Sequence, residues 1–539
     1  MRRAWKGLGE PLLVAGVAAV LRLQTAAASF ETADERIWTG RSSAFGDAIA
    51  SGHFGAASAS PNGAAATMPG ITTMWLGTLA RGVWRLGGSL GLWSRHDAEA
   101  YGGATDFAHT RSGLNVAQVG MALVTAALLG LLVYLLAVWV GRTAALVAGM
   151  LMATEPFLVA HGAVLHTDEL MSLTAVGALV AAALVLGLPR PGPWTGRRGA
   201  AVLVGVLYAA ALLTKLTALF LLPPLVLLTA WAALDRERRA WLPRAAATAL
   251  GAAAVTVLVT YPALWADPVS ELRALRTSAG IGEVGHSQFF LGEATETPGL
   301  RFYLVALPFR VTPWLLLGTV AGVVALVACR RLRGLGAALL AMAAPPLVLL
   351  SLASKQIDRY GLPLLLLAAV AVGAGVAALV ERLDLRRLGS KAAWALPAAG
   401  LLLVVNSLVV GPWGIAYFDP LLGGSSAAVD RVLVGWGEGY ESAGALVARL
   451  EDGRCDGVVV SGVKSGAFYR CGSRPGGGKP VDYVVVYVNA RQRDGELVRE
   501  KIHDRPLVAR HRIRGISYLE IYGRRGAPEP AEVLTSSEE

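Results

Sequence analysis

Four clusters of ionisable residues interrupt otherwise apolar stretches of this sequence. Asp34–Glu35 lies in SFETADERIW. His166–Thr167–Asp168–Glu169 closes EPFLVAHGAVLHTDEL, with Glu155 and His161 just upstream. Lys215 stands alone in ALLTKLTALFLLPP, and Lys355, Asp358, Arg359 and Tyr360 share SLASKQIDRYGLPLLLL. A carboxylate can take the proton of an acceptor hydroxyl. Lysine and arginine can grip a phosphate and stabilise it as it departs. Two acidic loops with two cationic points therefore suit group transfer from a phosphate-linked donor. Each cluster also has a plainer reading. Asp34 and Glu35 suit the first turn of a helix, Thr167 or Asp168 a helix cap, Lys215 a snorkelling side chain, and Asp358 an ion pair with Lys355 or Arg359. His with Asp also suits a divalent metal ion, which makes Asp34 and Asp168 candidate metal ligands. The HxxxxH spacing of His161 and His166 is no established metal motif, and no cofactor is certain.

The elements that must position these clusters are membrane helices. The chain has 539 residues, of which 54% are hydrophobic and only 16% charged, with a mean hydropathy of +0.52. A soluble protein carries about 25% charge, so most of this chain must face lipid or lie among helices that do. Disorder, collagen and a disulfide scaffold are excluded. Charge-free runs lie between Arg111 and Arg142, Glu169 and Arg190, Lys215 and Asp235, Arg244 and Asp267, Arg310 and Arg330, Arg333 and Lys355, Arg359 and Glu381, and Lys391 and Asp419. Most reach the roughly 20 residues that cross a bilayer as a helix, and shorter spans fit at 7–28, 143–160 and 199–214. The expectation is about 11 spans. They are helical because each must satisfy its own backbone, and because the alternation of a barrel is absent.

Lysine and arginine set the orientation. With the N-terminus cytoplasmic, the inner segments 1–6, 141–142, 189–199, 235–244, 330–334 and 381–391 hold 18 Lys and Arg against 4 Asp and Glu. The outer segments are then about 29–113, 161–169, the turn near 214, 266–302, 354–360 and everything after about 413, and all four clusters fall on the outer face. A removed signal peptide ending near Ala26–Ser29 is an alternative that leaves this topology intact. The inner loops sum to +14 and the rest of the chain to −3, so the pI near 9.8 records membrane orientation and gives no reason to invoke nucleic acid. Trp75, Trp84 and Trp93 suggest interfacial helices in loop 29–113. Beyond residue 420 charge becomes frequent. Val481–Val488, Val458–Ser461 and Ile516–Tyr522 read as strands and Gly439–Leu450 as a helix. Cys455 and Cys471 both lie in this outer region, where a disulfide is chemically permitted. The expected fold is a polytopic α-helical membrane protein with a small extracytoplasmic α/β C-terminal domain. The membrane part runs over 1–413, the α/β domain over 414–525 and a disordered tail over 526–539.

Taken in order, the motifs resemble the GT-C glycosyltransferase superfamily, specifically the polyprenyl/dolichyl-phosphate-mannose protein mannosyltransferase family and its aminoarabinose transferase relatives. The resemblance rests on Asp34–Glu35, Met68–Thr72 with Trp75–Gly77, Glu155–Phe157 through Asp168, Gly285–His286 with Phe290–Glu293, Lys355 with Arg359–Tyr360 and Pro363, and residues 417–440 (YFDPLLGG…VGWGEGYE). Met68 departs from a usual His. The resemblance implies a membrane enzyme moving a sugar, a hexose such as mannose, from a polyprenyl-phosphate donor to an acceptor hydroxyl on the outer face, with inversion. It implies Asp34 as the base, Glu35 and Asp168 orienting the acceptor or holding a metal, and Lys215, Lys355, Arg359 and Tyr360 on the donor phosphate, with His166 supporting the loop. The acceptor is a protein, glycan or lipid. A transporter or flippase of lipid-linked sugars is the alternative, since it too wants many spans and outer cations. Against it, the polar groups cluster at one face rather than deep within spans.

Overall fold

The computed structural model describes residues 8–28, 30–59, 69–96, 105–281, 286–383, 394–462, 471–473, 475 and 480–538. Met68 and Gly285 lie outside these. Seven described helices are long and apolar enough to cross a membrane: Gly9–Ala28, Arg111–Val140, Asp168–Leu186, Leu216–Ala233, Arg236–Thr260, Arg330–Leu352 and Asp358–Arg382. Two further candidates are bent pairs, Arg142–Thr154 with Pro156–Ala163 at 67° and Leu396–Val410 with Gly414–Leu422 at 93°. Arg198–Thr214 and Pro313–Ala328 are shorter apolar helices. The chain segments are those expected, but seven to nine meet the length test instead of about 11. The first bend has a local cause. Pro156 cannot donate into the preceding turn and restricts Glu155 to extended backbone, so one helix stops and a second begins with proline in its first turn.

Asp168–Leu186 is buried at every residue and forms the centre of the bundle. Arg236–Thr260 buries only Leu242 and Ala245 and lies at its edge. Small residues let backbones approach. A Cβ on Gly373 would stand 2.3 Å from the Ala144 carbonyl oxygen, where helix Leu362–Arg382 crosses Arg142–Thr154. Helices Glu35–Ala50 and Ile71–Ser89 pack on each other through Phe45 and Trp75, edge to face at 5.3 Å. The tryptophans of this loop turn inward rather than toward lipid. The Trp75 indole donates to the Thr260 carbonyl (2.8 Å), and Trp84 donates to Ser112 (2.9 Å). Leu79, Val83 and Leu86 form the exposed apolar stripe instead.

The C-terminal region holds a five-stranded mixed sheet in the order β3-β4-β6-β5-β7. Its strands are β3 (Val460–Ser461), β4 (Tyr483–Tyr487), β5 (Leu507–Ile513), β6 (Ile516–Tyr522) and β7 (Leu534–Glu538). The earlier hairpin β1 (Gln288–Phe290) and β2 (Glu293–Thr295) belongs to the 286–302 loop, and Phe290 bridges to Val432. β4 is shorter than the expected Val481–Val488 because Val488 opens a short helix. Residues 534–538 correct the expectation of a disordered tail. They pair in parallel with β5, whose outer edge would otherwise expose unpaired backbone groups. Cys455 and Cys471 form a disulfide. One face of β4 and β6, through Val485, Tyr487 and Ile521, joins the main core, so the C-terminal domain and the bundle share one apolar interior.

Candidate active site

Helix ends and breaks in the bundle bring the charged clusters together. Asp34 is the N-cap of helix Glu35–Ala50, and Asp168 opens the central helix. Lys215 ends helix Arg198–Thr214, and Arg359 sits in the short turn Asp358–Gly361 before the next span. Arg359 is the hub. Its Nη2 donates to Asp34 Oδ2 (3.1 Å) and its Nε to Asp168 Oδ2 (2.9 Å). Its guanidinium lies 4.1 Å over the Trp436 ring. The Trp436 indole donates to the same Asp34 oxygen at 3.0 Å. His166 bridges both carboxylates at ion-pair distance, with Nε2 3.4 Å from Asp34 Oδ2 and Nδ1 3.0 Å from Asp168 Oδ2. Lys215 pairs with Asp168 and stands 3.7 Å over the Tyr360 ring.

This network forms one wall of a cavity of about 590 Å³. Asp34, His166, Lys355, Arg359 and Tyr360 line it. Asp168 and Lys215 stand behind Arg359 and Tyr360, so they brace the wall without being among its lining residues. Glu35 is also outside it. Its carboxylate is buried and accepts from Thr32 N (2.8 Å), Gln118 Nε2 (3.0 Å) and Leu165 N (3.0 Å). Glu35 therefore ties the Asp34 turn to helix Arg111–Val140 and to the His166 loop, which is a positioning task rather than contact with a substrate.

The charge states follow from these contacts. Burial pushes the Asp34 carboxyl up, but the contact with His166, the Arg359 charge and the Trp436 indole outweigh it and hold the group well below the usual carboxylate range. Glu35 behaves oppositely. Burial raises it to about 7 in spite of its three donors. A metal ion does not fit Asp34 and Asp168 as they stand, because the Arg359 guanidinium bridges the two carboxylates. Among the described residues no group of three or more His, Cys, Asp or Glu is arranged to hold one.

The C-terminal domain supplies a second wall. Trp436 and Glu438 come from the Val434–Tyr440 segment, and Arg493 from the end of the short helix Val488–Arg493. Arg310 closes another side, pairing with Asp358 (2.7 Å) and donating to the Ile415 carbonyl (2.9 Å). Trp436 had a signal in the glycine-punctuated GWGEG run, whose Gly435, Gly437 and Gly439 all have positive φ. Arg310 and Arg493 carried none, being single basic residues at helix ends.

Fold and site together define a polytopic membrane protein with a strongly charged cavity at one end of its helical bundle. Residues 79–271, about a third of the chain, match the family model "Dolichyl-phosphate-mannose-protein mannosyltransferase". With the site above, the match makes the chain a membrane glycosyltransferase. The matched stretch includes His166, Asp168 and Lys215 but not Asp34, Lys355 or Arg359. No curated protein matches. Among solved structures, the archaeal oligosaccharyltransferase AglB from Archaeoglobus fulgidus is similar at 14% identity over 92% of this chain and 72% of that chain, with a TM-score of 0.48. ArnT from Cupriavidus metallidurans in the apo state is similar at 16% identity over 95% and 97%, with a TM-score of 0.49. The same enzyme bound to undecaprenyl phosphate gives 14%, 97% and 99%, with a TM-score of 0.47.

Proposed function

We propose that the chain transfers a hexose such as mannose from a polyprenyl-phosphate donor to an acceptor hydroxyl of a protein, glycan or lipid on the extracytoplasmic face. The observation that carries this is one carboxylate, Asp34, on the wall of a cavity beside Lys355 and Arg359. In the reaction the acceptor oxygen attacks the anomeric carbon and its proton passes to Asp34. The bond from that carbon to the phosphate oxygen breaks with its electron pair, leaving polyprenyl phosphate and an inverted sugar linkage.

Asp34 in its ion-paired state is a weak base. A donor phosphate competes with it for Arg359, and that competition frees the carboxylate for the acceptor. Base and leaving-group stabiliser are thereby armed by the same event. Asp168, with His166 and Lys215 around it, keeps Arg359 aimed at the cavity. The disulfide supports the outward placement of the C-terminal domain, because such bonds persist in oxidising compartments, and with the basic loops it supports a multi-pass protein of the cell membrane whose N-terminus is cytoplasmic.

The test is transfer from polyprenyl-phosphate mannose by the reconstituted protein, with Asp34→Asn beside the wild type. Loss of the base is expected to lower kcat by about 10²–10⁴-fold with donor binding retained. Wild-type turnover in Asp34→Asn would reject the assignment. Donor flipping without any transfer would favour a flippase.

A further inference from the structure

Each acid that lines the cavity already has a partner. Asp34 is shared by Arg359 and His166, and Asp358 pairs with Arg310 at 2.7 Å. Glu438 accepts from the Trp436 backbone (2.6 Å) and the Tyr487 hydroxyl (3.2 Å). Burial, against those donors, raises Glu438 and favours its neutral form. Two of the lining cations, Lys355 and Arg493, stand apart. Neither Lys355 nor Arg493 is paired with a carboxylate among the described residues. Arg493 comes from the C-terminal domain, not from the bundle. Its Nη2 lies 3.3 Å from His286 Nε2, and its Nε is shut away from solvent without a hydrogen-bond partner. His286 cannot repel it as a cation near neutral pH, since burial and then the Arg493, Lys355 and Arg359 charges lower the ring to about 4. An arginine has five donors in a planar fork suited to phosphate oxygens, and most of the fork here is unused. A half-buried cation with its Nε shut away and unpartnered is costly unless an anion completes the fork.

We infer that Arg493, with His286 and Lys355 beside it, forms a phosphate subsite contributed by the C-terminal domain, so that the active site is incomplete without that domain. This rests on the reading of the cavity as a glycosyl-transfer site. The charge balance suits that chemistry. The donor is a phosphodiester with one negative charge, and the departing polyprenyl phosphate is a monoester that gains a second. Lys355 and Arg493 supply two positive charges free to meet it. A phosphate borne by the acceptor would have the same chemistry.

Binding measured on the full-length protein in detergent separates these cases. Polyprenyl phosphate and inorganic phosphate are titrated against the wild type, Arg493→Gln, Arg493→Lys, Lys355→Gln, Arg359→Gln, and Arg491→Gln as a control on the same short helix. The expected result is at least a tenfold weaker affinity for polyprenyl phosphate in Arg493→Gln, largely restored in Arg493→Lys and unchanged in Arg491→Gln. If only inorganic phosphate binding falls, the subsite stands and serves an acceptor-borne phosphate. If Arg493→Gln changes neither while Lys355→Gln weakens the lipid, the subsite is rejected and the proposed function survives. If Lys355→Gln, Arg359→Gln and Arg493→Gln all leave lipid binding intact, both fall. The lysine variant keeps the charge, so its behaviour separates a lost ligand from a disturbed fold.

Discussion

Asp34 and Glu35 are neighbours in sequence and opposites in environment. Asp34 faces the cavity and a guanidinium, while Glu35 faces backbone N–H groups and an amide with no cation in its hydrogen-bond set. The difference has a consequence for pH. The folded-state pKa of Glu35 is raised from an ordinary 4.5 to about 7. Its neutral form is favoured in the fold, so its contribution to stability is full below about pH 4.5 and is lost as pH rises toward 7. That loss is on the order of 3 kcal/mol. Glu35→Gln cannot ionise, and the decline of melting temperature across this window should flatten in that variant, whatever fixed offset the amide introduces at Thr32. An unchanged slope would mean that Glu35 is not the group titrating there. Asp34, His166, Lys355, Arg359 and Tyr360, singled out because an ionisable group is rare and expensive in an apolar chain, line one cavity. Glu35, Asp168 and Lys215, singled out by the same logic, stand outside the cavity lining and brace its neighbours. That logic was blind to Arg493, because one more arginine in a soluble domain is no anomaly.

At the scale of elements, the site depends on a loop-to-loop contact between the two ends of the chain. The Ala33 N–H donates to the Trp436 carbonyl at 2.7 Å, holding the Asp34 turn against the GWGEG segment. Gly437 makes that contact possible. Its φ is +120°, and an added Cβ would lie 2.7 Å from Ala33 N and 3.1 Å from the Glu31 carbonyl oxygen. Gly437→Ala therefore combines backbone strain of about 1–3 kcal/mol with a push between Trp436 and Asp34. A displacement of this size at a reacting group costs roughly 10²-fold in rate, and the expectation is a fall of that order in kcat with expression and helix content preserved. Wild-type kcat in Gly437→Ala would show that the contact does not aim Asp34. Charge-free apolar runs made the helices visible, and the GWGEG segment stood out only as part of a motif. The pairing of residues 33 and 436 was not visible, because nothing local records which distant loops will meet. The same holds for the tail strand at 534–538, whose partner is an edge made elsewhere in the chain.

For the molecule as a whole, the orientation inferred from basic loops and the position of the cysteines give one joint prediction. The sequence has three cysteines, and two are joined between 455 and 471 in the C-terminal domain. Cys329 is free and half-buried, at the end of helix Pro313–Ala328 beside Arg330 and Arg331. Positive loops stay cytoplasmic, so the expectation is the free thiol of Cys329 inside and the disulfide outside. A membrane-impermeant maleimide applied to intact cells stripped of outer layers should leave the protein unlabelled. Permeabilisation should then add a single label, at Cys329. Applied after an impermeant reductant from outside, the reagent should reach Cys455, the less buried partner of the pair, without permeabilisation. Labelling of Cys329 in intact cells would invert the topology and move the cavity to the cytoplasmic face. There the disulfide would have no oxidising compartment to sustain it, and the donor would have to be presented from the inner leaflet. The thiol pattern thus decides on which side of the membrane transfer occurs, independently of any activity measurement.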